Sequence, residues 1–187
     1  MARMDWIERT LAGDPNAFEM IFDQYKNLVF KTAYLILDSA NDAEDAMQEI
    51  FLKTYRSLGS YDASKGAFST WLYRITVNHC LNQRRKFLRI IRPRELSNES
   101  DTQDQVSLEE KLSDQEAIEG TLRKLSQKLQ VVIILRYFLD LSYSEIAQVL
   151  DIPLGTVKSR LNLGLKKIRE ELQSEYFQSS TLREVSE

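Results

Sequence analysis

The chain has 187 residues, of which 43% are hydrophobic and 10% aromatic, so it has enough apolar side chains for stable cores and is not a disordered chain. This length suits one medium domain or two small ones. Its single cysteine, Cys80, excludes an internal disulfide framework, and its single histidine, His79, leaves too few ligands for a metal cluster or a histidine-based catalytic triad. We therefore predict no cofactor.

The longest purely apolar run, residues 131–135, is too short to cross a bilayer, and the N-terminus lacks the apolar segment of a signal peptide. We expect a soluble cytoplasmic protein without stable membrane insertion.

A formal net charge of −3 is unfavourable for binding nucleic acid when it is spread evenly, but in this chain the charge is unevenly distributed. Residues 79–94 carry six basic and no acidic side chains, and residues 120–172 carry nine basic and five acidic ones. Between them, residues 95–119 carry one basic and nine acidic side chains. Two basic segments therefore flank an acidic one, and the local field of each governs its encounter with phosphates.

Apolar residues recur at helical spacing along the chain, and no segment shows the alternation of a strand. Asp14 and Pro15 predict the N-cap and the first residue of a long helix, and the segment 41–44 resembles a second capping signal. The predicted helices of the N-terminal part cover residues 5–12, 15–37, 41–58 and 68–86.

We predict an all-α fold with two small helical domains, residues 1–92 and residues 115–173. Residues 93–114 are dominated by Ser, Asn, Gln, Asp and Glu, which predicts an acidic flexible linker. Residues 174–187 predict a polar tail. Within the second domain, the richly apolar residues 129–139 predict one helix.

Residues 141–172 have the pattern of two helices joined by a tight turn. Ser142 and Glu145 predict a capping box for the first helix, and Pro153 ends that helix. Val157 then opens an apolar stripe on the second helix. Hydrogen-bonding side chains stand opposite the stripe: Thr156, Lys158, Ser159, Arg160 and Asn162. This pattern is typical of a helix-turn-helix that places its second helix in the DNA major groove, although an αα-hairpin in a helical bundle is an alternative.

The predicted helix 41–58 carries an acidic face made by Asp42, Asp45 and Glu49, with Gln48 beside them. Acidic residues in the first turns of a helix can simply complement the helix dipole. This explanation fits Glu49 less well than Asp42 and Asp45. The functional alternative is a docking surface for a basic partner helix. A catalytic carboxylate pair is a weaker third alternative, because no nucleophile or metal ligand lies nearby in the sequence.

The segment 60–86 places aromatic residues before a run of cations, a combination that suits unpaired bases and their phosphates. We assign to the core the aromatic and apolar side chains that recur at helical spacing: Phe68, Trp71, Leu72 and Ile75. Burial does not explain Asn78 and Asn82, which lie one helical turn apart. A polar loop beside such a helix could hold an extruded base.

With these segments in order, the chain resembles the bacterial RNA polymerase sigma-70 family, specifically its short extracytoplasmic-function class. Regions 2.1 and 2.2 of that family are matched by FEMIFDQYKNLVFKTAYLILDSANDAEDAMQEIFLKTYRSL. Regions 2.3 and 2.4 are matched by YDASKGAFSTWLYRITVN, and region 4 by RYFLDLSYSEIAQVLDIPLGTVKSRL. The resemblance covers about four fifths of the chain.

The resemblance implies three sets of site residues. The first set would dock on the clamp coiled coil of the largest subunit of core RNA polymerase: Asp42, Asp45, Gln48 and Glu49. The second set would capture a flipped base and bind −10 promoter DNA: Ser60, Tyr61, Lys65, Phe68, Ser69, Thr70, Asn78, Asn82, Arg84 and Arg85. The third set would read the −35 element: Thr156, Lys158, Ser159, Arg160 and Asn162.

The resemblance also implies further partners and roles. The second domain would sit on the flap of the β subunit, and the acidic linker would pass near the active-site cleft. An anti-sigma factor is implied as the regulator.

Three departures from the family pattern stand out. Ser126 replaces a Pro before the long helix of region 4 and could cap that helix instead. Asp151 replaces a Gly in the helix-turn-helix turn, where it tolerates left-handed geometry less well than Gly. An Arg-x-Arg pattern is replaced by residues 163–165, Leu-Gly-Leu, and Gly164 inside a helix costs about 1 kcal/mol relative to Ala. We predict weaker −35 anchoring or a shift of contacts toward Lys158 and Arg160; alternatively, Leu163 binds a regulator.

The predicted function is that of a sigma factor, which binds core polymerase, recognises the −10 and −35 elements and helps to melt DNA; the protein is not expected to be an enzyme. A stand-alone helix-turn-helix repressor or activator is one alternative. A sigma-like protein that binds polymerase without melting DNA is another.

Overall fold

The computed structural model describes the backbone of residues 2–91 and 120–184, and the side chains of residues 5–87 and 120–174. All regular secondary structure in these ranges is helical, which confirms the predicted all-α fold. The chain divides into two compact units, one built on residues 1–95 and the other on most of residues 96–187. The predicted linker, residues 93–114, lies outside the described residues.

The first unit is built around its second helix. Its helices are α1 (Ala2–Leu11), α2 (Pro15–Leu37), α3 (Ala40–Ser57) and α4 (Phe68–Ile91), with a 3₁₀ turn at Leu58–Ser60. Helix α2 contacts each of the other three, and its fully buried apolar side chains line the core: Ala17, Ile21, Val29, Ala33 and Ile36. The predicted helices of this unit are thus confirmed, with shifts of a few residues at their ends.

Side-chain hydrogen bonds fix where α2 and α3 begin. Asp14 is the N-cap of α2 as predicted, since its carboxylate accepts a hydrogen bond from the Asn16 N–H at 3.0 Å. The predicted start of α3 at residue 41 is wrong. Its N-cap is Ser39, whose Oγ accepts from the Asp42 N–H at 3.3 Å. Asp38, at φ +59°, ends α2 in the left-handed region, so Ser39 follows in extended geometry and caps the next helix.

The C-terminal part of the chain contains a helical turn at residues 120–123, then α5 (Gln127–Ile133), α6 (Tyr143–Leu150) and α7 (Leu154–Glu184). These elements form the second unit except for residues 147–151, which are grouped with the first. Helix α5 packs against α7, and their buried side chains include Leu129, Val132 and Leu161. Ser126 occupies the N-cap position of α5, but its side chain forms no capping hydrogen bond, so its predicted capping role is wrong. Helix α7 continues through the predicted polar tail as far as Glu184.

The single helix predicted for residues 129–139 is wrong in its second half. Residues Ile134–Phe138 form a π-helix, in which the Leu139 N–H donates to the Ile134 carbonyl five residues earlier, at 3.1 Å. Arg136 then donates from Nη1 to the Leu141 carbonyl at 3.0 Å and satisfies an acceptor beyond the helix end. The wider turn and this side-chain bond close the helix before α6 begins.

Gly164 of α7 lies against α5. The glycine is buried, and a Cβ at this position would lie 3.1 Å from Cγ1 and 3.2 Å from Cδ1 of Ile133, which is itself buried. The helix-propensity cost of this glycine is therefore offset by the close packing that it permits.

We predict that Gly164→Ala gains less stability than its helix propensity implies, because the new methyl group collides with Ile133. In an Ile133→Ala background, the same change should recover about 1 kcal/mol of unfolding free energy. Gly155→Ala is the matched control, since no atom lies within 4 Å of a Cβ there. Urea unfolding of the full chain and its variants measures the coupling. Equal effects of Gly164→Ala in the two backgrounds would contradict this account of the packing.

Candidate protein and nucleic-acid interfaces

The acidic face predicted on α3 is exposed in the structure. Asp42, Asp45, Gln48 and Glu49 are all exposed and lie on one side of the helix. Among the described residues, the side chains of Asp45 and Gln48 form no hydrogen bond or ion pair, so the charge of Asp45 is not neutralised within this unit. No group of residues that could hold a metal ion occurs in the described part of the chain. The face can therefore attract a basic surface of another molecule.

His79 lies between α3 and α4. Its Nε2 is 3.7 Å from Oε2 of Glu49 on the acidic face, and the imidazole is half-buried. Burial lowers the pKa of His79, the charge of Glu49 opposes that effect, and the charges of Lys53 and Lys86 add to it. The net direction is downward, so the neutral imidazole is favoured in the folded protein.

An aromatic cluster holds the loop between α3 and α4. The Tyr61 ring lies 5.2 Å from that of Phe68 and 5.6 Å from that of Trp71, measured between centroids. The Tyr61 hydroxyl donates to the Gly66 carbonyl at 3.1 Å, and Asp62 accepts from the Ser64 N–H and hydroxyl. Two ring contacts and three hydrogen bonds thus fix the shape of the loop.

Two residues predicted to bind −10 DNA are buried beneath this loop. The prediction places Phe68 and Thr70 on a surface that contacts DNA, but each is only 7% exposed. Their side chains belong to the interior, and the prediction is corrected in this respect. Phe68 packs on Tyr25, Tyr61 and Trp71 and supports the loop from below. The other predicted residues of the loop keep accessible side chains: Ser60, Tyr61, Lys65 and Ser69.

A polar stripe runs along α4 on its exposed side. Arg74, Asn78, Asn82 and Arg85 are all exposed and follow one another at spacings of four, four and three residues. Such spacing places them on one face of a helix. Arg74 was missed as a site residue from the sequence, although its four-residue distance from Asn78 is the signal that extends the stripe.

Arg84 takes part in the fold itself. Its Nη1 donates to the Ile36 carbonyl at the end of α2 at 3.0 Å, and burial lowers the pKa of its guanidinium. Because this bond satisfies an orphan carbonyl of a helix C-terminus, Arg84 ties α4 to α2. Arg85, the next residue, is the one that presents its cation to the exterior.

Cys80 also belongs to the interior. Its side chain is buried on α4, and burial raises the pKa of the thiol to about 12. The thiol therefore stays protonated and acts as a small apolar core group.

The helix-turn-helix pattern is confirmed by α6 and α7. The Ser142 N–H donates to Oε2 of Glu145 at 2.8 Å, and Ser142 Oγ accepts from the Glu145 N–H at 3.3 Å, which forms the predicted capping box. Asp151, at φ +55°, supplies the left-handed turn that a glycine would otherwise provide. Ile146 on α6 and Val157 on α7 are both buried.

The polar side chains predicted for major-groove contact lie in the first turns of α7. Lys158, Ser159 and Asn162 are exposed, whereas Thr156 and Arg160 are half-buried. The Ser159 hydroxyl donates to the Thr156 carbonyl at 3.1 Å, which leaves its oxygen able to accept a hydrogen bond from outside. Leu163 is 48% exposed, so an apolar side chain is presented on this part of α7.

Comparisons with known proteins decide the family. Residues 21–89 match the family model Sigma-70 region 2, and residues 115–168 match Sigma-70, region 4. The chain is 34% identical to the ECF RNA polymerase sigma factor SigW of Bacillus subtilis over 186 residues, which covers 89% of this chain and 95% of that protein. It belongs to the extracytoplasmic-function sigma factors.

Other relatives agree. The ECF RNA polymerase sigma-E factor of Haemophilus influenzae is 34% identical over 182 residues, with 89% of this chain and 93% of that protein covered. A solved structure of the sigma factor RpoE of Bartonella quintana, in complex with the anti-sigma factor NepR, shares the fold with a TM-score of 0.65. That likeness covers 83% of this chain and 96% of the other at 22% identity.

As a sigma factor, the protein directs promoter-specific initiation of transcription by RNA polymerase. The two matched regions fall on the two helical units of the fold. Among the helices that the structure describes, none is long and apolar enough to cross a membrane.

We predict that His79 makes the stability of this sigma factor depend on pH near neutrality. Because the folded pKa is below the ordinary 6.5, the unfolded chain takes up a proton first as the pH falls, and the unfolding free energy decreases through that range. His79→Gln should flatten the decrease between about pH 7.5 and 5.5. Urea unfolding across this range tests the change, and since the chain has one histidine, no other imidazole contributes. Identical profiles for the two proteins would contradict the prediction.

Proposed function

We propose that the sigma factor divides its work among three surfaces. The acidic face of α3 docks on core polymerase, the loop and stripe of α4 bind the −10 element, and the first turns of α7 read the −35 element. The observation that carries this proposal is the arrangement within the first unit. There, an acidic face and a polar, cationic stripe stand on two neighbouring helices, and each is suited to a partner of the opposite charge.

Docking on polymerase is supported by the exposed carboxylates of Asp42, Asp45 and Glu49. The expected partner is the clamp coiled coil of the largest subunit, a helical surface that would supply cations. Such complementarity raises the rate of association and fixes the orientation of the complex. Gln48 adds an exposed amide, which can donate and accept hydrogen bonds at the same surface.

Binding of the −10 element is supported by the fixed loop and by the α4 stripe. Ser60, Lys65 and Ser69 surround the loop that would receive an extruded base, and Tyr61 offers an accessible ring edge. Asn78 and Asn82 can read the edge of an unpaired base, and Arg85 can bind a phosphate. Phe68 and Thr70 contribute by packing beneath the loop.

Reading of the −35 element is supported by the capped helix-turn-helix. Lys158, Ser159 and Asn162 face outward, and Arg160 is partly accessible at the same end of α7. With Leu163 in the place of a cation, phosphate binding depends more heavily on Lys158 and Arg160.

The proposal extends to partners and setting. The second unit would sit on the flap of the β subunit, and an anti-sigma factor would hold the protein inactive, as NepR is bound to RpoE in the related complex. The protein acts in the cytoplasm as a specificity subunit and not as an enzyme.

Run-off transcription with core polymerase on a library of upstream sequences tests this function. Wild-type protein should give promoter-dependent transcripts, and their absence together with no binding to core would refute it. The double variant Asp45→Lys, Glu49→Lys should lower affinity for core at least tenfold, about 1.4 kcal/mol, because the docking face then repels its partner. Unchanged core affinity of the double variant would show that the docking assignment is wrong.

A further prediction concerns the −35 element. Lys158→Ala and Arg160→Ala should each reduce the dependence of transcription on −35 DNA and flatten the salt slope of duplex binding by about 0.9. Affinity for core polymerase should stay as in the wild type. Lys166→Ala, an exposed lysine further along α7 that lies 3.7 Å from Glu170, serves as the control. If Lys166→Ala has the same effect as Lys158→Ala and Arg160→Ala, the first turns of α7 have no special role in reading the −35 element.

A further inference from the structure

His79 is the only histidine of the chain, and its ring reaches the acidic face of α3. Its Nε2 lies 3.7 Å from Oε2 of Glu49, which is just beyond hydrogen-bond distance. The Glu49 side chain is 72% exposed, whereas that of His79 is only 17% exposed. Among the described residues, Glu49 forms no other ion pair. A carboxylate that the acidic face offers to a partner is therefore within reach of a group whose charge can change near neutral pH.

The groups that act on the imidazole come from α3 and from α4 itself. Burial has the largest effect and lowers the pKa of His79 below the ordinary 6.5. On α3, the charge of Glu49 raises this pKa and that of Lys53 lowers it; on α4, Lys86 lowers it and Gln83 raises it. The net direction is downward, so the ring is neutral above about pH 7 and takes up its proton under mildly acidic conditions.

Gln83 provides an acceptor for that proton. Its Oε1 is buried and accepts no hydrogen bond among the described residues, and its side chain acts on His79 to raise the pKa. A buried acceptor that lacks a donor costs free energy. The protonated imidazole carries an N–H on each nitrogen, so it can serve both Gln83 and Glu49, which the neutral ring with its single N–H cannot do. The surroundings of His79 thus contain two acceptors that suit the imidazolium.

We infer that protonated His79 withdraws the Glu49 carboxylate from polymerase, so that mild acid weakens the docking of this sigma factor on core. The imidazolium pairs with Glu49 and adds a positive charge at the face that meets a cationic partner. Conversely, the cations of a docked partner disfavour the imidazolium, so docking releases the proton, and the two effects are equal by linkage. This regulation rests on the proposed function, since it requires that the acidic face of α3 binds polymerase.

The affinity of core polymerase for the full chain and for its His79→Gln variant tests the inference. Both proteins are labelled at the N-terminal amine, and binding is followed by fluorescence anisotropy between about pH 7.5 and 5.5. The quantity compared is the ratio of the two affinities at each pH, because titration of polymerase and of the shared carboxylates cancels in that ratio. At the acidic end the wild type should bind about two- to fivefold more weakly, relative to His79→Gln, than at the neutral end, which is the range of an exposed ion pair.

Glu49→Gln gives a second test that leaves the half-buried histidine in place. In this background His79 has no carboxylate to withdraw, and its pKa falls further because the opposing charge of Glu49 is lost. Addition of His79→Gln should then change core affinity by nearly the same factor at every pH. Circular dichroism at each pH checks that all variants are folded, so that a loss of structure is not mistaken for a loss of docking.

Two results would overturn the inference. One is a ratio of wild-type to His79→Gln affinity that stays constant with pH, which would reveal a purely structural role for the histidine. The other is a pH-dependent ratio that persists undiminished with Glu49→Gln, because His79 would then act elsewhere than on the docking face. Failure of the proposed function appears differently: the wild type does not bind core, or the double variant Asp45→Lys, Glu49→Lys binds core as well as the wild type does.

Discussion

Packing of α2 against its three neighbours is the interaction on which the first unit depends. Its apolar stripe is fully buried, and α3 and α4 both rest on it, so their exposed sides are held at a fixed distance from each other. Arg84 strengthens this arrangement by bonding to the last turn of α2. Because the acidic face and the polar stripe are carried on these two helices, the core determines how polymerase and DNA would be presented to each other.

The contact between Glu49 and His79 places an ionisable pair between those two surfaces. A partner that changes the field at one surface therefore alters the electrostatic free energy at the other, and the coupling is reciprocal by thermodynamic necessity. The proposed docking on polymerase and binding of DNA would therefore need no change of backbone conformation to influence each other in this unit.

Most features that depend on neighbours in sequence were predicted correctly. The Asp14 cap, the capping box of Ser142 and Glu145 and the left-handed Asp151 all follow from local rules, and the structure contains each of them. The N-cap of α3 and the capping role of Ser126 are the local predictions that failed. Two features that depend on distant neighbours were not predicted. The role of Arg84 requires the end of α2, and the need for Gly164 requires Ile133.

The same division holds for the candidate site. Spacing along one helix was enough to predict the acidic face and the exposure of Asn78 and Asn82. A cleft between the end of α3 and the first turns of α4, lined by Lys53 and Arg74, was not predictable in this way, because two helices form it and neither segment alone shows that the other is present. Local patterns thus locate individual surfaces, whereas tertiary packing determines which of them are adjacent.

The π-helix at Ile134–Phe138 has a consequence for chain length. A turn closed by a bond to the fifth preceding residue holds one residue more than an α-helical turn, so it absorbs a one-residue insertion without disturbing the helix on either side. A relative whose chain is one residue shorter here could close the turn with ordinary α-helical bonds and still bury the equivalents of Val132 and Leu141. An alignment gap at this point would then mark a change of helical turn, and the two folds would remain the same.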